Sequence, residues 1–453
     1  MQPREKASER PTSTPPAAPT PARRPRLWRS ILMFLSVIGP GVITANADND
    51  VGGITTYSIA GAQFGYEMLW LLVPVTIALI VVQEMCARMG AVTGKGLADL
   101  IRENFGVKVT FWVLLVFVVG DLGNTASEFA GIASAAPILQ TFVPWLRKEL
   151  LVPLAAIFVF MVVTRGNYRV VEKIFFAFCA IYLAYAASAI LVHPPWGVVF
   201  RETLLPHFKP TAAYALVAVG VIGTTISPWM QFYIQSAIVE KGVQIEEYPL
   251  SRIDVIGGAI FTDVIAFFIV VASAATIWAH NQHLGPHGRP IAINDAGDVA
   301  QALVPLAGKY ASLLFALGLL NAAVFTASIL PLSTAYYVCE AFGFESGVNR
   351  RFREAPFFYG FYLALIVLGA GFVLIPGAPL LAIIFYSQVL NGALLPVVLV
   401  LMLLLINQAR LMGSYVNGPL FNAIAWATVV SVGVLTVVST VQTIFPSLGG
   451  ASP

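Results

Sequence analysis

The sequence is poor in charged residues. Only 11% of its 453 residues are Asp, Glu, Lys or Arg, whereas a soluble globular domain carries roughly 25%. Apolar residues make up 58% of the chain, and they occur in runs long enough to cross a bilayer as helices. The net charge of +3 provides no strongly basic surface for nucleic acid. The composition therefore excludes a large soluble enzyme and indicates a polytopic membrane protein.

Cysteines and enzyme motifs are also scarce. The three cysteines, Cys86, Cys179 and Cys339, lie in or beside different apolar segments, so we expect buried thiols and neither a disulfide nor a metal cluster. No H-E-x-x-H motif is present, and three of the five histidines fall in one loop, 280–287. We therefore expect no enzymatic activity and no permanently bound cofactor.

Long apolar segments account for most of the chain. A membrane helix needs roughly 20 such residues, and counting segments of this kind gives about eleven spans. In chain order, spans 1 to 11 are 29–59, 66–87, 109–139, 149–165, 170–192, 211–239, 254–279, 302–339, 355–375, 379–407 and 421–445. Residues 1–27 are rich in Pro, Ser, Thr and Arg without an apolar period, which predicts a disordered cytoplasmic tail.

The distribution of basic residues predicts the orientation. With the N-terminus inside, most of the 26 Lys and Arg lie in the tail and the cytoplasmic connections. The exceptions are Arg147, Lys148, Arg201, Lys209, Arg289 and Lys309. Cytoplasmic connections are enriched in Lys and Arg. We therefore expect a multi-pass protein of the cell membrane with a cytoplasmic N-terminus and an outside C-terminus.

Span 1 is interrupted by the polar stretch Gly39-Pro-Gly-Val-Ile-Thr-Ala-Asn-Ala-Asp-Asn-Asp-Val-Gly-Gly53. It contains Asp48 and Asp50 at about the depth of the bilayer midplane, where a charge is costly unless it is paired or hydrated. Gly52 and Gly53 follow, and glycine lets the backbone turn. The stretch therefore predicts a broken helix that binds a cation, with the two glycines as its hinge.

Span 6 contains a second interruption, Gly220-Val-Ile-Gly-Thr-Thr-Ile-Ser-Pro-Trp-Met-Gln231. It comes five spans after the first, so two repeats built around the interruptions have opposite orientations. Paired broken helices at corresponding positions are typical of transporters, with the substrate site between them. We predict a first repeat over 28–193, a second inverted repeat over 211–407 and an additional span over 421–445.

Hard-oxygen chemistry selects the candidate ligands. A broken helix exposes carbonyl groups where its first half ends, and carbonyls together with a carboxylate form a cation site. We predict Asp50 as the principal ligand, with Asn49 beside it and the carbonyls of Ala47 and Thr224. Pro228 lacks an amide proton, so it frees the Thr224 carbonyl and forms a further hinge.

Other polar side chains of the spans extend this site. Ser227 and Gln388 are predicted as further metal ligands, and Gly53 is also predicted to belong to the metal site. The predicted lining of the cavity consists of Asp48, Trp229, Gln231, Asn391, Glu128 and Thr125. Gln388 and Asn391 are spaced i,i+3 and share a helix face, which equally suits an interhelical hydrogen bond.

Further acids lie in or near the spans. Glu84 and Arg88 are spaced i,i+4, which predicts an ion pair, and Glu340 is also expected to be structural. Asp121, Asp263 and Glu128 are open between a proton relay and structural pairing.

Several short motifs recur along the membrane part. They are Gly39-Pro40, Asp50, Gly61-Ala-Gln-Phe-Gly-Tyr66, Leu69-Trp70, Thr93-Gly-Lys-Gly-Leu-Ala-Asp-Leu-Ile101, Ser127-Glu-Phe129, Gln235-Ser-Ala237 and Ser387-Gln388. Together they resemble the Nramp family of divalent-metal transporters. The resemblance implies an all-α, LeuT-like fold of two inverted five-helix repeats, with metal bound between broken helices 1 and 6.

The departures from that family concern the metal ligands. The family's Asp-Pro-Gly-Asn is Asp50-Val-Gly-Gly53 here, so glycine replaces the Asn ligand. Its Met-Pro-His is Ser227-Pro-Trp229, which removes a thioether and the histidine associated with proton movement, and Thr125 replaces an acid of span 3. A thioether favours softer metals, whereas Mg²⁺ keeps several waters. The chain thus most resembles the Nramp-related magnesium transporters.

These observations predict a secondary transporter that imports largely hydrated Mg²⁺ by alternating access, with weak or no proton coupling. One alternative is a proton-coupled Mn²⁺ or Fe²⁺ transporter in which Met230 supplies sulfur. An amino-acid symporter on the same fold is disfavoured, because Asp50 would repel a substrate carboxylate. An ion-binding membrane sensor or scaffold is a further alternative. The predicted partners are a divalent metal ion and the lipid bilayer, and no oligomeric state follows from the sequence.

Overall fold

The structure is a computed structural model that describes residues 47–165, 182–209, 211–282, 293, 296–348 and 350–444. The predicted tail, the first part of span 1 and much of span 5 lie outside these residues, as does Cys179. Within the described ranges the chain forms helices joined by turns and contains no strand. The all-α prediction is confirmed.

We label the helices longer than two turns in chain order. They are α1 (Val51–Phe64), α2 (Leu69–Thr93), α3 (Leu97–Gln140), α4 (Lys148–Arg165), α5 (Leu183–Leu191), α6 (Trp196–Leu204), α7 (Ala212–Thr225), α8 (Pro228–Glu240), α9 (Tyr248–Ser273), α10 (Ala311–Phe342), α11 (Pro356–Leu374), α12 (Leu380–Ile406) and α13 (Pro419–Ile444). A π-helical turn, Ala274–Trp278, and a short segment, Ala279–Gln282, extend α9.

Eight segments of the described chain are long and apolar enough to cross a membrane, with α7 and α8 counted as one and α9 taken with its extension. Span 4 corresponds to α4, whose 18 residues include the charged Lys148, Glu149 and Arg165. Spans 1 and 5 are described only in part. The multi-pass architecture is confirmed, and the count of eleven spans stays a prediction.

Some boundaries differ from those predicted. The helix of span 3 begins at Leu97 instead of 109, and it contains a kink at Gly106, whose φ of 81° is a conformation that favours glycine. The helix of span 8 begins at Ala311 instead of 302, because single helical turns occupy the segment before it. The helix α6 in the connection between spans 5 and 6 was not predicted from hydropathy.

Close helix packing places polar groups of different spans together. The long helix α3 packs along α10 and α12, and α9 packs against α1 and α2. Where α7 crosses α12, a Cβ added at Gly223 would overlap the backbone of Gln388 and Gly392. Small residues let membrane helices approach this closely. The end of α7 is therefore fixed beside the polar residues of α12.

The described cysteines agree with their prediction. Cys86 and Cys339 are buried and free. The predicted pair in span 2 is also confirmed, since the Arg88 guanidinium lies 3.2 Å from the Glu84 carboxylate. Glu340 accepts a hydrogen bond of 2.5 Å from the Ser236 hydroxyl, as expected for a structural acid.

Candidate functional site

Two helix breaks define the candidate site. The first lies at Asn49 and Asp50, between the helical residues Ala47–Asp48 and α1. The second lies at Ile226 and Ser227, between α7 and α8. Both fall inside the predicted polar stretches. A correction concerns the glycines, because Gly52 and Gly53 belong to the first turn of α1 and the chain turns just before them.

Asp50 begins α1. Its extended backbone and its side chain form the N-cap, and its Oδ1 accepts a hydrogen bond of 2.5 Å from the Gly53 N–H. Acidic caps are favourable here because the first amide groups of a helix have no partner within the helix. Asp50 is 5% exposed, and no Lys, Arg or His of the described chain forms an ion pair with it. The cap therefore holds a buried carboxylate that no described basic residue neutralises.

The two breaks meet at Gly53. A Cβ added there would lie 3.4 Å from both Asp50 Oδ1 and Thr224 Oγ1. The Thr224 hydroxyl is buried and has no hydrogen-bond partner among the described residues. An acidic and a neutral oxygen thus both face Gly53, and oxygens of these two kinds suit a hard cation.

Glu128 of α3 lies on another side of this centre. Its carboxyl faces the Asp50 carboxyl and the Val51 N–H at the start of α1. It is completely buried. This geometry sets two acids against the positive end of one helix, and the cavity position predicted for Glu128 stays a prediction.

Ser227 and Gln231 satisfy carbonyl groups of the second break. The Ser227 hydroxyl donates to the Gly223 carbonyl at 2.8 Å and to the Thr224 carbonyl at 3.2 Å. The Gln231 amide, oriented as its surroundings require, donates to the Ser227 and Pro228 carbonyls. The sequence predicted a free Thr224 carbonyl, but in the structure this carbonyl accepts a hydrogen bond from Ser227. A carbonyl oxygen still retains a second lone pair for a cation.

Helix α12 supplies a polar network beside both breaks. Asn391 donates to Gln388 Oε1 at 3.0 Å, so the predicted shared face is confirmed. The Asn391 amide also exchanges hydrogen bonds of 2.7 and 3.0 Å with Asn124 of α3 and lies 3.3 Å from the Ser227 hydroxyl. Gln388 packs directly onto Gly52. The interhelical hydrogen bond that was one of the two alternatives for this pair is present at Asn391, and the network joins α3, α12 and the two breaks.

Trp229 and Met230 point into an apolar cluster. Together with Ala47 they pack among Tyr233, Phe325, Ile329 and Leu330, and both are 1% exposed. The Ala47 carbonyl accepts a hydrogen bond of 3.3 Å from the Thr326 hydroxyl of α10. The Ala47 carbonyl, a predicted ligand, thus lies within the protein core, and Trp229 packs in the same apolar cluster.

The remaining predicted residues lie in different surroundings. The Asn49 amide donates at 2.8 Å to the Thr262 hydroxyl of α9, and Asp48 faces Asp263 of the same helix. Thr125 donates to the Asp121 carbonyl at 2.7 Å, and its methyl group packs against Gly369 of α11. The structure therefore brings Asn49 and Asp48 to α9 and Thr125 to α11.

Asp121 is the acid whose environment was least predictable. Its Oδ2 accepts hydrogen bonds from the Thr334 hydroxyl at 2.7 Å and the Tyr337 hydroxyl at 2.9 Å, both of α10. The sequence analysis did not identify four polar residues that bond predicted site residues or Asp121, namely Asn124, Thr326, Thr262 and Thr334. A polar residue within an apolar span was the available signal for each of them.

Among the described residues, no three His, Cys, Asp or Glu side chains come together as a metal-binding group. The described donors around Asp50 are instead one or two carboxyls with hydroxyl and carbonyl oxygens. Such a set agrees with a site that binds an ion transiently and leaves part of its water shell in place.

Comparison with known proteins gives a consistent result. Residues 41–442 match the Nramp family, described as natural resistance-associated macrophage protein-like. A protein named divalent metal cation transporter MntH from Ralstonia nicotianae is 30% identical over 421 residues, covering 88% of each chain. The MntH of Deinococcus radiodurans is 27% identical over 418 residues, or 90% of this chain and 89% of that protein.

Solved structures share the fold. A manganese transporter from Eremococcus coleocola aligns with a TM-score of 0.73 at 22% identity, covering 96% of this chain and 91% of that one. The nucleobase-cation-symport transporter Mhp1 aligns at 0.54 and 14% identity, over 90% and 94% of the two chains. These similarities confirm a LeuT-like membrane fold. Since the family match covers most of the sequence, the chain is a member of the Nramp family.

Proposed function

We propose that this chain imports a divalent metal ion by alternating access, with Asp50 as the group that attracts and holds the ion. The observation that carries the proposal is the buried Asp50 carboxylate at a helix break, beside the unpartnered Thr224 hydroxyl. A charge in the membrane interior is costly without a partner, and a cation removes this cost. Relatives named divalent metal cation transporters support the same function.

For the identity of the ion, we propose largely hydrated Mg²⁺ with weak or no proton coupling. All described donors near Asp50 are oxygen atoms, and Ser227 stands where the family has a thioether. The backbone carbonyl of Asp48 also faces Gly53, so a further neutral oxygen lies beside the carboxylate. Mg²⁺ gives up its waters reluctantly and is usually held through few direct protein ligands. Thr125 and Trp229 replace an acid and a histidine of the family, which supports the proposed weak coupling.

Mn²⁺ is the second candidate, and the names of the relatives favour it. The Eremococcus coleocola structure is of a manganese transporter. Carboxylate, carbonyl and water ligands suit Mn²⁺ as well as Mg²⁺. Met230 lies in one cluster with Ala47, so a thioether is present near the first break although it is packed among apolar side chains.

Uptake into liposomes separates these candidates. The full chain is reconstituted with a metal-sensitive dye and a pH-sensitive dye inside the vesicles. The Mg²⁺ proposal expects Mg²⁺ entry, inhibition of Mn²⁺ entry by excess Mg²⁺ and no accompanying acidification. Mn²⁺ entry that persists in excess Mg²⁺ would establish the second candidate, particularly with proton entry. Binding of both ions without uptake of either would instead identify a sensor or scaffold.

We also propose two inverted repeats, 28–193 and 211–407. For the orientation, we propose that the N-terminus lies on the cytoplasmic side of the plasma membrane. The excess of Lys and Arg on one side supports the orientation. Single cysteines can be introduced at Lys209, predicted outside, and at Arg351, predicted inside. A membrane-impermeant thiol reagent applied to intact cells should label the first and spare the second, and the reverse pattern would invert the orientation.

A further inference from the structure

A second pair of buried acids lies between the first helix break and α9. Asp48 is 1% exposed and Asp263 is 5% exposed. The hydrogen bond of 2.8 Å between their chain neighbours, Asn49 and Thr262, holds the two residues together, and their carboxylates interact electrostatically. Besides the adjacent hydroxyls of Thr262 and Thr76, no donor of the described chain reaches their four oxygens. The Thr76 hydroxyl itself donates to the Leu72 carbonyl. The pair is therefore poorly solvated by the protein.

Further oxygen atoms surround this pair, but no basic side chain of the described residues pairs with it. The Asn49 amide is tied to Thr262 through its nitrogen, while its Oδ1 is buried and has no hydrogen-bond partner in the described residues. The Tyr57 hydroxyl, which is bonded to Thr225 at 2.7 Å, also lies within electrostatic reach of both carboxylates. Within the described ranges, no Lys, Arg or His forms an ion pair with Asp48 or Asp263.

The negative charge of these two buried carboxylates needs a positive charge or a proton to balance it. Two carboxylates that share a buried site cannot both stay ionised without a cation between them. A divalent ion neutralises two carboxylates, and carboxylate, amide and hydroxyl oxygens are the ligands of hard cations. Asp50 also lies within electrostatic reach of Asp48, but its carboxylate is held elsewhere, because it caps α1 and faces Glu128. Neighbouring residues at the break thus point to two different helices, α3 and α9.

We propose that Asp48 and Asp263 form a second cation site, which takes a hard divalent ion with the Asn49 amide oxygen and the Thr262 hydroxyl as neutral ligands. The site lies beside the Asp50 centre and shares the same helix break. It is assigned from binding geometry and does not depend on whether the chain transports ions.

The test is the number of Mn²⁺ ions bound per chain. The purified full chain in lipid nanodiscs is equilibrated with Mn²⁺, which serves as a probe for hard divalent sites, and bound ion is counted by electron paramagnetic resonance. We expect two ions for the natural chain and one ion each for Asp263→Asn and Asp50→Asn. Asp254→Asn is the matched control, since Asp254 is a buried acid of α9 more than two turns away; it should still bind two ions.

A natural chain that binds only one ion, or an Asp263→Asn variant that binds two, would overturn the proposal. The first result is what a shared proton between the carboxylates would produce. Should Asp263→Asn fail to elute as a folded protein, Asp48→Asn removes the same site from the opposite helix and must also leave one ion. Two ions per natural chain without uptake in liposomes would contradict the proposed transport and leave the second site standing.

Discussion

The two helix breaks have similar backbones and different chemistry. The first break presents acids, with Asp50 facing α3 and Asp48 facing α9. The second presents only neutral groups. The Ser227 hydroxyl donates to carbonyls at the end of α7, and the Gln231 amide donates to carbonyls at the start of α8. The first break thus carries charge that the described protein leaves uncompensated, whereas the second is largely satisfied internally.

This difference separates two tasks within one site. Attraction of a cation over a distance requires net charge, and only the first break supplies it. The second break fixes shape, because α7 is packed against α12 through Gly223 and is linked by Asn391 to α3. Changes at the first break should therefore act mainly on ion binding, while changes at the second should act on stability and ion preference.

The largest effect is expected from Asp50→Asn, which preserves size but removes the charge. We expect uptake of Mg²⁺ and Mn²⁺ into liposomes to fall more than ~100-fold, since losing a direct ligand should exceed the roughly 10–100-fold cost of losing a group that only orients one. Asp254→Asn is the control for removing a buried acid. Uptake at the natural rate in Asp50→Asn would contradict the assignment of the charged break as the ion site.

Gly223→Ala tests the packing of the neutral break. The added Cβ meets the backbone of Gln388 and Gly392, which cannot rotate away, and overpacking of this kind costs about 1–3 kcal/mol. We expect a lower temperature of thermal unfolding in detergent. Gly257→Ala is the matched control, because a Cβ on this exposed residue of α9 meets open space. Equal unfolding temperatures for the two variants would show that the crossing of α7 and α12 is loose.

Ser227→Met tests whether the neutral break sets ion preference. It introduces the thioether of the family, and soft ligands favour soft metals. We expect Cd²⁺ to compete with Mg²⁺ uptake about 10-fold better than in the natural chain, an estimate equal to about 1.4 kcal/mol of binding free energy. Ser227→Leu has a similar volume without sulfur. If both variants responded to Cd²⁺ alike, size at this position and not ligand chemistry would determine the preference.

The smallest effect is expected from Thr224→Val, which removes the unpartnered hydroxyl at nearly constant shape. One neutral oxygen is worth about 1 kcal/mol, so the half-saturating ion concentration should rise about fivefold with little change in maximal rate. Thr428→Val provides the control, because its hydroxyl bonds its own helix at Ile424. An unchanged half-saturating concentration would remove Thr224 from the ion site.

Local features were predictable because they depend on neighbours in the chain. The polar interruption around Asp50, the proline at 228 and the i,i+3 spacing of Gln388 and Asn391 all gave structures close to those expected. The glycines after Asp50 were misjudged, since a helix can begin at Val51 when an acidic cap precedes it. Hydropathy also missed α6, a nine-residue helix too short to form a span.

Contacts between residues far apart in the sequence could not be predicted from chain neighbours. Asp48 and Asp263 are 215 positions apart in the sequence, and Asn124 meets Asn391 across 267 positions. In both cases the sequence showed a polar residue inside an apolar span, which predicts that it needs a partner but not which one. The same limit applied to Asp121, whose partners Thr334 and Tyr337 lie on α10.

The sequence by itself determined that this is a helical membrane protein with two broken helices, because bilayer insertion depends on runs of apolar residues and breaks depend on local backbone chemistry. Only the tertiary structure decided which oxygens surround Asp50 and which acid faces Asp48. Those choices depend on helix rotation and on crossings through glycines such as Gly223, and close packing between distant segments fixes both.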